Sequence, residues 1–333
     1  MVAEATLALG KYWHPIGRSE DVTDKPARFR LLDDFVVAFR HEGQLAVFKD
    51  MCVHRGAALS LGWVKDGTLV CPYHGWQYDT DGRCVRIPSR PENQPIPELA
   101  HAVAYRSQER YGLVWVAMEE PELDIPPFPD DCFDAEGWTS FLSYKEVWQT
   151  SAARTIENFM DFSHFPYVHP GLLGTEENAE VEPYKVVKTD DGLRYVFEQV
   201  EPSDLYGKGG TAVVEYEYII HMPFFIHLKK RVKETDETTI ITLVTTPLTE
   251  HTSELYVWIV RNHSHDTPDA EFGDFTVQIM QQDHPVVESQ RPEGIPDSLK
   301  EELHLMPADN ASLVYRQKLL KMAKVEPLGP YGA

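Results

Sequence analysis

Two short segments of the chain carry side chains that bind metals. Cys52-Val53-His54 and Cys71-Pro72-Tyr73-His74 each place one sulfur beside one imidazole, with sixteen residues between them. Two chemistries compete for such a set. One is a structural zinc site with two cysteines and two histidines; the other is a binuclear iron–sulfur centre with two Cys on one iron and two His on the other. Zinc fingers usually pair Cys with Cys and His with His along the chain. Here each segment contributes one of each, which suits a binuclear centre between two loops. If like ligands share a metal, Cys52 and Cys71 hold one iron and His54 and His74 the other. Cys84 and Cys132 are left over and read as small buried residues.

A second constellation lies in Glu157-Asn158-Phe159-Met160-Asp161-Phe162-Ser163-His164-Phe165-Pro166-Tyr167-Val168-His169, which contains Asp-x2-His-x4-His. On a helix, Glu157, Asp161 and His164 share one face. His169 would be turned away by about 140° if the helix ran on. Pro166 is expected to end it after His164, so that the two imidazoles converge. A third ligand is offered by Asp283, on a helical stripe with Phe272, Phe275, Ile279, Val286 and Gln290. A carboxylate there is costly unless paired or bound to metal. Two His and one carboxylate make the facial triad of non-haem Fe(II) sites, which leaves positions open for O2 and substrate.

The elements around these residues differ between the two parts of the chain. Phe35–Arg40 and Gln44–Phe48 are β-rich runs joined through His41-Glu42-Gly43, and Asp79-Thr80-Asp81-Gly82 marks a second hairpin. Residues 111–118 form a further strand. The stretch 119–129, rich in Pro and Glu, reads as a connection. It divides a domain of residues 1–120 from one of residues 121–333. In the second part, 151–165 looks helical. Strands follow at 184–200, 211–222, 225–233, 239–248 and 253–261, in an antiparallel sheet of four or more. Residues 268–291 and 310–323 return to helical spacing, with Asp309 as N-cap of the last helix. The fold class is α+β.

Composition narrows the functions. There are 31 Lys+Arg against 53 Asp+Glu, a net charge of −22. Residues 1–120 hold only −2 of it. Such an acid excess argues against nucleic-acid binding. No apolar run reaches membrane-spanning length, and the N-terminus lacks signal-peptide features. Four cysteines do not make a disulfide scaffold. The expectation is a cytoplasmic protein. Lys208-Gly209-Gly210-Thr211 lacks the context of a phosphate loop and reads as a turn. Tyr216, Tyr218, Phe224, Phe225 and Trp258, with His221 and His227, are aromatic candidates for a substrate pocket. Lys229-Lys230-Arg231 reads as a solvated strand end.

Cys52-Val53-His54-Arg55-Gly56 and Cys71-Pro72-Tyr73-His74-Gly75-Trp76 closely resemble the cluster loops of Rieske proteins. Ala57 and Tyr73 stand where respiratory members have disulfide cysteines, so the loops are similar to those of oxygenase-type centres. With the second constellation and Gln282-Asp283-His284-Pro285-Val286-Val287-Glu288-Ser289-Gln290-Arg291-Pro292, the chain resembles the catalytic subunit of Rieske non-haem iron oxygenases. That resemblance implies an N-terminal all-β [2Fe–2S] domain and a helix-grip-like catalytic domain with helices over an antiparallel sheet. It implies Cys52, His54, Cys71 and His74 on the cluster, and His164, His169 and Asp283 on a mononuclear Fe(II). Asp161 matches the position that links the iron site to a neighbouring subunit's cluster in a head-to-tail homotrimer. Asn158 matches a position close to the iron, and Glu157 is family-like or merely structural. The chain carries no flavin or nicotinamide fingerprint, so electrons are expected from a separate NAD(P)H-dependent reductase, with its own ferredoxin centre. Its length resembles the homotrimeric monooxygenase and demethylase branch, acting on a small aromatic or heterocyclic substrate. The alternatives are a cis-dihydroxylating dioxygenase, an electron carrier with an inert binding domain, and a zinc-stabilised binding protein.

Overall fold

The computed structural model describes residues 9–173, 176–202, 211–296 and 299–322. The chain packs as two compact units that meet in sequence at Ile125 and Pro126, inside the proline-rich stretch.

The first unit is built of ten short strands: β1 (His14–Arg18), β2 (Ala27–Leu31), β3 (Asp34–His41), β4 (Gln44–Lys49), β5 (Trp63–Lys65), β6 (Thr68–Val70), β7 (Gln77–Tyr78), β8 (Cys84–Arg86), β9 (Arg106–Arg110) and β10 (Leu113–Ala117). They form three antiparallel sheets, β1-β10-β9, β2-β3-β4 and β5-β6-β7-β8. The run Val36–Phe39 lacks alternation because β3 is buried on both faces. Val37 and Phe39 enter one core with Leu59, Leu69 and Tyr78. Val36 and Ala38 enter another with Val114 and Val116. Cys52 and Cys71 belong to the first of these cores, so packing of the β2–β4 and β5–β8 sheets fixes where the sulfurs sit.

The second unit is a seven-stranded antiparallel sheet beneath helices. Its strands are β11 (Thr139–Trp148), β12 (Val186–Lys188), β13 (Gly192–Pro202), β14 (Thr211–His221), β15 (Phe225–Val232), β16 (Thr238–Thr249) and β17 (Thr252–Arg261). The order is β11-β17-β16-β15-β14-β13-β12. The helices are α1 (Ala152–Met160), α2 (Phe165–Val168), α3 (Asp269–Glu288) and α4 (Asn310–Met322). α3 packs on β11, α1 on β15–β17 and α4 on β12 and β13, while α1 also touches α3 and α4. No helix among the described residues is long and apolar enough to cross a membrane.

Several expectations need correction. The span 184–200 is two strands, because Thr189 N–H closes a turn on the Gly192 carbonyl. The edge strand β11 was not anticipated, since its TSFLSYKEVW sequence mixes polar and apolar residues without clean alternation. Pro166 does not end α1. That helix stops at Met160, where Asp161 turns extended as its C-cap (φ −82°, ψ 139°). Pro166 instead lies in the first turn of α2, where a missing N–H costs nothing. The buried stripe of α3 is Phe272, Thr276, Met280, Asp283 and Val287, whereas Val286 is exposed. Asp309 accepts the Leu305 N–H through its carboxylate at 2.6 Å, and its carbonyl accepts the first α4 bond, from Leu313 N–H. Lys208 to Gly210 lie outside the described residues.

Two candidate metal centres

The two Cys/His loops share one backbone frame. Cys52 N–H donates to the Ala57 carbonyl and Gly56 N–H to the Cys52 carbonyl, both at 2.8 Å. Cys71 N–H donates to the Trp76 carbonyl at 2.8 Å and Gly75 N–H to the Cys71 carbonyl at 3.0 Å. Gly56 and Gly75 both have φ near +70°, a conformation that disfavours any Cβ. These matched turns bury both sulfurs and leave both imidazoles exposed, with their Nδ1 atoms 3.2 Å apart. The indole of Trp76 stacks on His54 at 4.6 Å and 6°. Burial pushes the Cys71 thiol up, and Cys52 beside it adds to the effect. Slight burial and the charges of His74 and Arg55 lower His54. Two soft sulfurs at the buried end and two facing nitrogens at the open end fit a [2Fe–2S] cluster with a cysteine pair on one iron and a histidine pair on the other. Cys84 is buried in the same core as Cys52 and Cys71, and Cys132 is buried in the second unit.

The second set is assembled around α2. His164 precedes that helix and His169 follows it, so one turn aims both rings the same way. Asp283 reaches them from the buried stripe of α3. One ligand atom from each of His164, His169 and Asp283 lies within 4.8 Å of the others. Asp283 Oδ1 is 3.4 Å from His164 Nε2 and 3.2 Å from His169 Nε2. His169 Nε2 and Asp283 Oδ1 are buried without a hydrogen bond, which is costly for polar atoms aimed at a common point. That pair of orphans fits a metal ion, whose charge would satisfy both.

The outer nitrogens fix the rings. His164 Nδ1 meets Asp161 Oδ2 at 3.0 Å, and His169 Nδ1 meets Gln282 Oε1 at 2.8 Å. Asp161 also accepts Ser163 N–H at 2.9 Å and Ser163 Oγ–H at 2.7 Å on its other oxygen, so its carboxylate organises the whole 161–164 turn. Burial opposes a charged His164, but Asp161 and Asp283 overcome it and raise the imidazole to about 9. Burial likewise raises Asp161 and Asp283, yet the imidazoles win and both end below the usual carboxylate range. Ser163 and Gln282 were not assigned roles from sequence. Their only signal there was adjacency to a ligand.

Glu157 has the structural role. Arg316 Nε and Nη2 grip it at 2.5 and 2.6 Å, and Arg316 and Arg154 both reach Glu302 at 2.5 Å. This quartet ties α1 to α4. Asn158 points the other way, into a cavity of about 550 Å³ that also exposes His164, His169 and Asp283. Of the aromatic candidates, Tyr216 and Tyr218 line this cavity and the other five do not. Strand alternation explains why. Val257 and Ile259 face the cavity, while Trp258 and His227 turn to Phe128 on the opposite face. Lys229 pairs with Asp130 and Arg231 with Glu215 and Asp236, but Lys230 faces the cavity.

Comparison with known proteins places both parts of the chain among characterised families. Residues 12–103 match the Rieske [2Fe-2S] domain, and residues 148–325 the vanillate O-demethylase oxygenase C-terminal domain. Methylxanthine N1-demethylase NdmA of Pseudomonas putida is 30% identical over 96% of this chain and 91% of its own. Methylxanthine N3-demethylase NdmB of the same organism is 29% identical over 85% and 82%. The structure of NdmA with caffeine superposes with a TM-score of 0.83, at 30% identity and the same coverage as NdmA in sequence. Dicamba monooxygenase bound to dicamba shares the fold, with a TM-score of 0.81 at 24% identity over 96% of this chain and 99% of that one.

Proposed function

The chain belongs to the Rieske non-haem iron oxygenases, and from that premise we propose that it oxidatively demethylates a small N-methylated heterocycle. It is the terminal oxygenase component of such a system, an oxidoreductase with a Rieske [2Fe–2S] domain and a mononuclear-iron catalytic domain. Relatives of this family work with a reductase and a ferredoxin centre. The observation that carries the demethylase reading is the match to NdmA along nearly the whole chain, together with a largely apolar cavity opening onto the triad.

Residues 1–120 form the electron-receiving domain in this reading, and residues 121–333 the catalytic one. Cys52, His54, Cys71 and His74 would hold the cluster, and His164, His169 and Asp283 the iron; when bound, these groups would supply single electrons and the activation of O2. Gln282 and Asp161 keep the Nε2 lone pairs of His169 and His164 turned inward. Asp161 also receives the link from the cluster histidines of a neighbouring subunit in a homotrimer, and holds the proton on His164 Nδ1. Asn158 and the apolar walls present the methyl group and exclude water. The overall change consumes O2, two electrons and two protons: N–CH3 becomes N–CH2OH with loss of water, and the carbinolamine then releases formaldehyde and N–H.

The test uses purified, iron-loaded, reduced protein under labelled dioxygen with N-methyl, O-methyl and unmethylated ring compounds. Formaldehyde with a demethylated product is the expected result. One labelled oxygen retained without formaldehyde would instead make it a hydroxylase. Two retained oxygens would overturn monooxygenation altogether.

A further inference from the structure

The cavity changes character along its length. Its floor is the sheet, which strand register divides into rows. Tyr218, Leu228, Ile241 and Ile259 pair across β14–β17 in an apolar row. Two residues along, Tyr216, Lys230 and Thr239 make the next. Val214 and Val232 follow, with Glu237 bonded to Val232 through its carbonyl. All of these line the cavity. The roof follows the same course, α3 presenting Asp283, Met280, Thr276 and Phe272 in turn.

The apolar row belongs to the triad end. Tyr195 pairs with Tyr218 and donates its OH to the Met160 carbonyl, one residue before Asp161. His263 marks the other end, with its ring 6.3 Å from Phe272. The strand from Tyr218 to Val214 covers about 13 Å, and the helix from Asp283 to Phe272 about 16 Å. The roof distance exceeds the length of a fused bicyclic heterocycle, so such a ring at the triad leaves the His263 end, beside Phe272, to another part of the substrate.

The surroundings of His263 are polar. His263 Nε2 is 2.8 Å from Thr239 Oγ1, its Nδ1 2.9 Å from Ser264 Oγ, and the Lys230 ammonium lies 4.8 Å from the Tyr216 ring centroid. Lys230 and Glu237 carry opposite charges, and burial lowers His263 towards its neutral form. An anion here would face Glu237 and a cation would face Lys230, whereas a neutral group that both donates and accepts meets a partner for each role. We infer that Lys230, Thr239 and His263 form a distal subsite for an uncharged amide, lactam or urea head group of an elongated substrate. The inference rests on the demethylase reading only for which end of that substrate is oxidised.

The experiment is calorimetric binding to the holoenzyme of three probes sharing one dimethylaniline end: para-(dimethylamino)phenylbutanamide, the corresponding butanoate, and para-butyl-dimethylaniline. The amide is expected to bind about tenfold more tightly than the butyl compound. Thr239→Val and Lys230→Met are each expected to bring that preference towards one, and Thr239→Ser to restore it. Cluster absorbance and iron content establish that each variant is folded. A preference unmoved by the substitutions, tightest binding by the butanoate, or failure of the amide to bind would each overturn the subsite. Formaldehyde release is followed separately. Formaldehyde without the amide preference removes the subsite and keeps the demethylase; the preference without formaldehyde does the reverse.

Discussion

The phenolic oxygen of Tyr78 lies 3.1 Å from the sulfur of Cys52. Both are buried in the same core, so the contact is held by packing. A hydroxyl donating to a cluster sulfur stabilises the more negative, reduced state. Tyr78→Phe removes that donor with little change in volume. The reduction potential is expected to move to more negative values with the cluster spectrum otherwise retained, as measured by optical redox titration. An unchanged potential would exclude the contact as a determinant.

Replacing His164, His169 or Asp283 by Ala is expected to lower iron from about three per chain to about two. Turnover should fall by at least about a hundredfold, towards the upper end of losses from disturbed metal sites, while cluster absorbance persists. Iron analysis beside the visible spectrum checks this. Loss of the cluster signal as well would mean that the substitution unfolds the chain.

Gly56 and Gly75 offer a matched comparison. Alanine at either must adopt the left-handed conformation, at a cost of about 1–2 kcal/mol. At Gly56 a Cβ meets nothing within 4 Å, but at Gly75 it comes 3.1 Å from Pro88 Cγ. Gly75→Ala should therefore lower the melting temperature and the cluster content more than Gly56→Ala. Equal effects would show that Pro88 yields freely.

The Arg154–Glu157–Arg316–Glu302 quartet gives acid sensitivity. Burial alone would raise Glu302, but Arg154 and Arg316 pull it down to about 2 from an ordinary 4.5. A depressed carboxyl contributes stability that is fully present above its unfolded pKa and is lost as pH falls through the folded one. Its share therefore disappears between about pH 4.5 and 2. Glu302→Gln should flatten part of the melting-temperature slope in that window. Arg316→Met, which leaves the mostly buried Glu157 with the longer Arg154 contact of 3.4 Å, should cost on the order of 2 kcal/mol at neutral pH, measured by denaturant titration.

Much of this architecture was legible because the chemistry is local. Cys52, His54, Cys71 and His74 fall within two tight turns, and Val36–Phe39 and the β-branched runs of β14–β17 announce strands. Asp283 stood out as a carboxylate on a mostly apolar stripe of its helix. What escaped depends on tertiary context. The α1 break at Asp161 is set by a carboxylate that satisfies Ser163 and His164, which helical periodicity cannot show. Glu157 read as either family-like or merely structural, and only α4, which brings Arg316 against it, decides for the second. The parity that turns Trp258 away from the cavity and Val257 towards it is a matter of register, and β11 became a strand only by pairing with β17.

The two metal sites differ in how far along the chain their parts must travel. His54 and His74 are 20 residues apart, joined mainly by one antiparallel strand pair. His169 and its orienting Gln282 are 113 residues apart, with the sheet from β12 to β17 between them. The first needs only the core of the first unit, which holds Cys52 and Cys71. The second exists only once those strands are in register. Iron affinity at the triad is therefore linked to the folding of the entire catalytic unit.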